Sequence, residues 1–152
     1  MLKIDKLTCS FGSFDTNFNL KIFTSGIVGV VGRSGSGKST LLNLIAGFIE
    51  PQSGKIIYNE SNLNELEASQ RDLSILFQNF NNFDHLSIFE NIILGIDPQM
   101  RKTSDNLKIV RDILNKLSIN LDMETKLNLL SGGEQQRVSI ARCLIRKKSL
   151  LL

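Results

Sequence analysis

From Leu2 to Ile22 the apolar residues keep a period of two. Leu2 and Ile4 are followed, after a phase slip near Lys6, by Leu7, Cys9 and Phe11, and Phe14, Phe18, Leu20 and Ile22 continue the series. That period predicts two strands, with Gly12-Ser13 as a hairpin turn between them. Gly26 to Val31 is a short unbroken apolar run and reads as a further strand. Past a glycine-rich stretch, Leu41, Leu42, Ile45 and Phe48 recur at helical spacing. Pro51-Gln52-Ser53-Gly54 signals a turn, and Lys55 to Tyr58 and Leu73 to Phe77 read as strands. Beyond Gln78 the pattern changes: Asn79, Asn81 and Asn82 alternate with Phe80 and Phe83, and Asp84-His85 precedes a predicted helix from Ser87 to Leu94. Lys102 to Leu117 places Leu107, Val110, Leu114 and Leu117 on one helical face. Val138, Ala141, Leu144 and Ile145 repeat that spacing after Ser131-Gly132-Gly133. Residues 79–146 thus read as a mainly helical subdomain inserted behind a mixed sheet, within one domain over 1–152.

Composition narrows the class without choosing a function. An apolar fraction of 41% and a charged fraction of 22% are those of an ordinary soluble globular domain. The net charge of +3 is spread along the chain, with Arg146-Lys147-Lys148 the only short basic run, and there is one Tyr and no Trp. No nucleic-acid partner is expected from that pattern. His85 is the only histidine, which excludes a histidine-based metal cluster. Cys9 and Cys143 form no Cys-x-x-Cys pair and read as small buried apolar residues in a reducing compartment. The charged N-terminus is no signal peptide, no uncharged apolar stretch approaches ~18 residues, and the chain reads as cytosolic.

The chemistry begins at Gly32-Arg33-Ser34-Gly35-Ser36-Gly37-Lys38-Ser39-Thr40, which fits G-x-x-x-x-G-K-[ST] between a predicted strand and a predicted helix. Glycines let backbone N–H groups turn inward on an anion, and the helix N-terminus adds partial positive charge. In that pattern Lys38 reaches the β- and γ-phosphates, the Ser39 hydroxyl holds Mg²⁺, and Thr40 donates to a phosphate oxygen. A second run, Leu130-Ser131-Gly132-Gly133-Glu134-Gln135-Gln136-Arg137, places an N-capping Ser131 three residues before Glu134, the spacing of a capping box. Two glycines at a helix mouth lower stability unless something must approach the backbone closely. Two such sites about a hundred residues apart, for one terminal phosphate, predict a dimer: each nucleotide lies between one chain's glycine loop and the other's Ser-Gly-Gly.

These residues resemble the ATP-binding subunits of ABC transporters. Gly32 to Thr40 looks like that family's Walker A loop, Leu130 to Arg137 like its signature motif, and Gln78 like the glutamine of its Q-loop. The resemblance covers the whole chain. It implies an α/β fold of the P-loop NTPase type, with a mixed sheet around the phosphate-loop helix and an inserted helical subdomain. It implies ATP and Mg²⁺ as ligands, with Ser39 and Gln78 on the metal. Ser131, Gly132, Gly133 and Gln135 would contact the nucleotide across a homodimer. Phe11 sits where the family stacks an aromatic on adenine; a core aromatic of the first strand is the competing reading. Leu41 to Phe48, Leu76-Phe77-Gln78 with Asn81, Phe83, His85-Leu86 and Asn91-Ile92, and Ala141 to Leu144 are similar to the ATPase subunits of thiamine importers. The partners implied are a transmembrane permease and, indirectly, a solute-binding protein, with the chain peripheral on the inner face of the membrane. Phe80 and Asn82 depart from that likeness, standing where a polar and an apolar residue are expected.

In the family, an apolar strand such as Leu150-Leu151-Leu152 runs on into an Asp-Glu pair that orients the metal shell and polarises water, and a histidine follows. None of these lies within the 152 residues, so the resemblance assigns no catalytic residue here. The chain is therefore expected to be the C-terminally incomplete front of a longer domain, binding nucleotide without a positioned general base. A soluble, non-transport ABC ATPase is the remaining alternative.

Overall fold

The computed structural model of the chain describes residues 1–11, 14–23, 26–79 and 81–152, without the side chains of Phe11 and Phe14. The predicted Gly12-Ser13 turn and Phe80 lie outside the described residues. The chain divides into two compact units, Met1–Arg71 and Asp72–Leu152.

In the first unit the alternating N-terminal residues form β1 (Leu2–Phe11) and β2 (Phe14–Ile22). With β3 (Ser53–Tyr58) and β4 (Ser61–Asn62) they make an antiparallel sheet in the order β2-β1-β3-β4. The phase slip is real. Lys6 adopts a left-handed φ of 46°, and the pairing with β2 shifts between Ile4 and Leu7. That irregularity puts Leu7 and Cys9 on the buried face already held by Leu2 and Ile4. Helix α1 (Lys38–Ala46) adds Leu41, Leu44, Ile45 and Ala46 to the unit's buried residues. Phe48, expected on its apolar face, falls beyond its end because Gly47 turns left-handed at φ 85°.

The run Gly26 to Val31 is not a strand. It carries no ladder partner among the described residues, and Ile27 and Val31 are 103% and 93% exposed. An apolar run reports a preference for burial, but a strand exists only where a neighbour takes its N–H and C=O groups.

Arg71, 5% exposed, closes this unit. Its Nη1 donates to Leu44 O at 2.8 Å and Ile45 O at 2.7 Å, in the last turn of α1, and its Nε donates to Leu66 O at 3.2 Å. The guanidinium sits so close under Gly47 that a Cβ there would stand 2.7 Å from Cζ. Burial pulls the Arg71 guanidinium below its ordinary range, but its three carbonyl partners suit the charged form.

In the second unit β5 (Leu73–Ser74) pairs in parallel with β6 (Leu150–Leu151). Leu76 N donates to Leu152 O at 2.8 Å and Leu152 N to Ser74 O at 2.9 Å, so the contact continues past the short strands. Antiparallel and parallel pairings are thus both present, in two separate sheets. Helices α2 (Ile88–Ile93), α3 (Ser104–Lys116) and α4 (Gly132–Ile145) enclose a core of Ile88, Phe89, Ile92, Val110, Leu114 and Val138, among others. Each begins at a side-chain cap: Ser87 with Glu90, Thr103, and Ser131 with Glu134.

Replacing Arg71 by Ala should lower unfolding free energy by roughly 3 kcal/mol, because carbonyls at the end of α1 lose a buried charged donor. Lys at the same position should restore little, since a single ammonium cannot span three carbonyls in the guanidinium's geometry. Urea denaturation monitored by circular dichroism measures both; a loss below about 1 kcal/mol for Arg71→Ala would show that water replaces the guanidinium there.

Candidate functional site

The glycine loop folds by local constraints. Gly35 at φ 76° and Gly37 at φ 85° occupy left-handed backbone that other residues rarely adopt. Ser36 N donates to Arg33 O at 3.2 Å, closing a turn over residues 33–36. A Cβ on Gly32 would stand 2.7 Å from Ser36 Oγ, so a larger residue there would require the Ser36 hydroxyl to turn away. Gly37 caps α1 without a side chain, no acidic residue stands in the first turn, and Leu41 N donates to Gly37 O at 2.8 Å. Lys38 arches back over the loop: its Nζ donates to Gly32 O at 2.8 Å and Arg33 O at 2.7 Å, and lies 3.5 Å from Ser36 Oγ. The ammonium is thereby set on the mouth of α1, on the side where the helix carries partial positive charge. Ser39 is exposed and Thr40 half-buried in the same turn, while Arg33 and Ser34 are exposed in the loop.

The second motif opens α4. Ser131 N donates to Glu134 Oε2 at 2.8 Å and Ser131 Oγ donates to the same oxygen at 2.6 Å. The Ser131 hydroxyl bond, then the backbone bond, holds the Glu134 carboxyl below the usual carboxylate range. Gln135 turns its amide back, Nε2 donating to Leu127 O at 3.1 Å and Leu130 O at 3.2 Å. Gly132 and Gly133 are different. A Cβ on Gly132 would meet nothing within 4 Å, and one on Gly133 only Arg137 Nη1 at 3.9 Å. Neither has a positive φ. Among the described residues nothing crowds a side chain at either position, and glycine is a poorer helix former than alanine, by about 1 kcal/mol in a helix interior.

Gln78 is exposed in a turn just beyond β5. The backbone of Phe11 ends β1, opposite Phe14; its side chain lies outside the described residues, so both readings of it stand. The structure brings the loop residues 32–40 together in the first unit and Ser131 to Gln135 together in the second, which also carries Gln78. Among the described residues no three His, Cys, Asp or Glu side chains gather as a metal site, and no helix is long and apolar enough to cross a membrane. Cys9 and Cys143 are both buried and free, as expected, and burial pushes the Cys143 thiol up, away from nucleophilic use. Sequence pattern gave no sign of Arg142 and Ser139, which grip the segment after Gln78, because a polar residue's role depends on the partner facing it.

The family described as ABC transporter matches residues 16–152. The chain is similar to the thiamine import ATP-binding protein ThiQ of Aliivibrio fischeri, 44% identical over 135 residues that cover 89% of this chain and 58% of that protein. It is also similar to the protein of the same name from Brucella abortus, 40% identical over 151 residues, 99% of this chain and 63% of that one. The chain thus spans about three fifths of the length of these curated relatives. A solved ATP-binding cassette, a dimer in a post-hydrolysis state bound to ADP and Pi, matches with TM-score 0.81 and 29% identity, over 99% of this chain and 72% of that one. A nucleotide-free cassette from an ABC transporter matches with TM-score 0.87 over 99% of this chain and 66% of that one; at 22% identity it speaks for the fold alone.

The Ser131–Glu134 pair has a pH signature. A lowered carboxyl pKa means the bond stabilises the first turn of α4 above the unfolded value and is lost as pH falls through the folded one. The Glu134 carboxyl carbon, followed by NMR, should titrate with a midpoint below 4.5, and the Gly132 and Gly133 amide signals should move with it. A midpoint at or above 4.5 would mean that the pair does not persist in solution.

Proposed function

The chain belongs to the ABC transporter family, and on that premise we propose that it is the ATP-binding part of a subunit that energises import of thiamine or a similar small solute. The arrangement of Lys38 over the mouth of an uncapped helix carries this reading, and the names of the similar proteins support the importer assignment. The loop Gly32 to Thr40 takes the phosphates: Lys38 exchanges its carbonyl contacts for β- and γ-oxygens, and Thr40 donates to a phosphate oxygen.

Ser39 and Gln78 suit Mg²⁺, because a hydroxyl and an amide oxygen are the hard, neutral donors that this ion accepts beside phosphate and water. When bound, Mg²⁺ neutralises charge on the β- and γ-oxygens. No catalytic residue is assigned within the 152 residues; nucleotide binding is the activity ascribed to them.

Ser131, Gly132, Gly133 and Gln135 contact the nucleotide of a second copy. The bare α-carbons of the two glycines favour this, and so does Leu129, 74% exposed beside them, an apolar rim suited to a protein face. Gln78 and the segment behind it face a transmembrane permease, with a solute-binding protein acting only through that permease. The working place is the cytoplasmic face of the membrane.

Lys38→Ala should weaken ATP·Mg²⁺ affinity of the 152-residue chain about a hundredfold, since one charge-assisted contact to each of two phosphates disappears. Fluorescence titration with a labelled ATP analogue measures it. Equal affinity in both proteins would remove the loop from the binding site.

A further inference from the structure

Two polar side chains to which the nucleotide reading gives no task, Ser139 and Arg142, converge behind Gln78 with the backbone carbonyl of Gln135. Gln135, Ser139 and Arg142 lie at spacings of four and three, one stripe of α4. Ser139 is fully buried. Its Oγ lies 2.6 Å from Asn82 Oδ1 and 2.9 Å from Gln135 O, and its one proton serves one of them at a time. Asn82 Nδ2 donates to Gln135 O at 3.3 Å, so the Asn82 amide meets α4 with both its donor and its acceptor. Arg142 Nη2 donates to Asn81 O at 2.8 Å and reaches Asn82 Oδ1 at 3.4 Å, and its guanidinium carbon stands 5.8 Å from the centre of the Phe83 ring. From the other side the fully buried Asn91 of α2 accepts from Phe83 N at 3.0 Å and donates to Phe83 O at 3.0 Å. Residues 81–83 are therefore gripped by two helices through directional bonds, at the position where an apolar residue 82 was expected from the likeness to thiamine importers. An apolar side chain would fill the same space but fix no register, because packing without hydrogen bonds tolerates sliding.

We propose that Asn82, with Ser139 and Arg142, latches the segment following Gln78 to α4, so that this segment and the helix opening at Ser131-Gly132-Gly133 move as one piece. The three are positioning residues. The nucleotide-linked part of the proposal rests on the reading of Ser131 to Gly133 as a phosphate contact; the latch itself does not.

Hydrogen–deuterium exchange of the 152-residue chain, with and without ATP·Mg²⁺, tests both parts separately. Without nucleotide, Asn82→Leu should speed exchange of amides 81–86 about tenfold while α3 is unchanged, and Ser139→Ala should act in the same direction. Asn82→Asp keeps an acceptor for Ser139 and Arg142 but loses the Nδ2 donor to Gln135 O, and its rates should fall between those of the native chain and Asn82→Leu. With nucleotide, the native chain should change at 81–86 and 131–134 together, whereas Asn82→Leu should change only at 131–134. Native rates at 81–86 in both Asn82→Leu and Ser139→Ala would overturn the latch, as would an Asp variant as fast as Leu. Independent responses of the two segments in the native chain would overturn the coupling. A native chain in which ATP alters neither segment would instead refute the nucleotide reading, leaving the latch to be decided by the nucleotide-free rates.

Discussion

Helix α1 is finished in opposite ways at its two ends, and its place within Met1–Arg71 depends on both. At the N-terminus there is neither a capping side chain nor an acidic residue; a left-handed Gly37 starts the helix and Lys38 leans over its mouth. At the C-terminus, Gly47 reverses the chain and buried Arg71 takes the carbonyls of Leu44 and Ile45. The aligned peptide dipoles leave partial positive charge at the first end and partial negative charge at the second. Arg71 answers the negative end from within the unit, while neither a capping side chain nor a first-turn carboxylate answers the positive end, the condition a phosphate site needs. A glutamate in the first turn of α1 would compete with that anion, and the chain has none there.

The second unit solves a different problem, that of holding irregular backbone against helices. Residues 81–86 lie in no strand and Ser87 makes only an isolated bridge with Lys126; main-chain bonds such as Leu127 N to Leu86 O at 3.1 Å share the segment's polar groups with amide side chains. Asn91 serves Phe83, and its Nδ2 also donates to Leu86 O at 3.3 Å and Ser87 O at 3.0 Å. Asn82 does the same work toward α4. Such buried amides leave one satisfied arrangement and penalise the others, so they specify position where apolar contacts would only supply cohesion. The helix starts follow a parallel rule, with Ser87–Glu90 and Ser131–Glu134 closing the first turns of α2 and α4.

What could be read from the sequence was local. The strand period with its slip at Lys6, the Ser131–Glu134 capping pair and the glycine loop all depend on residues a few positions apart, and the structure keeps each of them. What could not be read was the partner. Gly26 to Val31 looked like a strand because its apolar residues are contiguous, but pairing is a property of two segments. Arg71 sat in a stretch without periodicity and gave no hint that it would reach back 26 and 27 positions to α1. Asn82 was noticed only as a departure; its bonds to Ser139 and Gln135 explain what that departure does. The glycines at 132 and 133 stand between these cases: their presence is legible, and the structure adds that no described residue crowds the space a side chain would take there.

The proposed shared site depends on those two glycines facing a nucleotide bound to another copy. Sedimentation velocity of the 152-residue chain, with and without saturating ATP·Mg²⁺, addresses this directly. A shift from monomer to dimer with nucleotide, abolished by Gly132→Val while ATP still binds, is the predicted result. A chain that binds ATP and remains a monomer throughout would contradict the shared site.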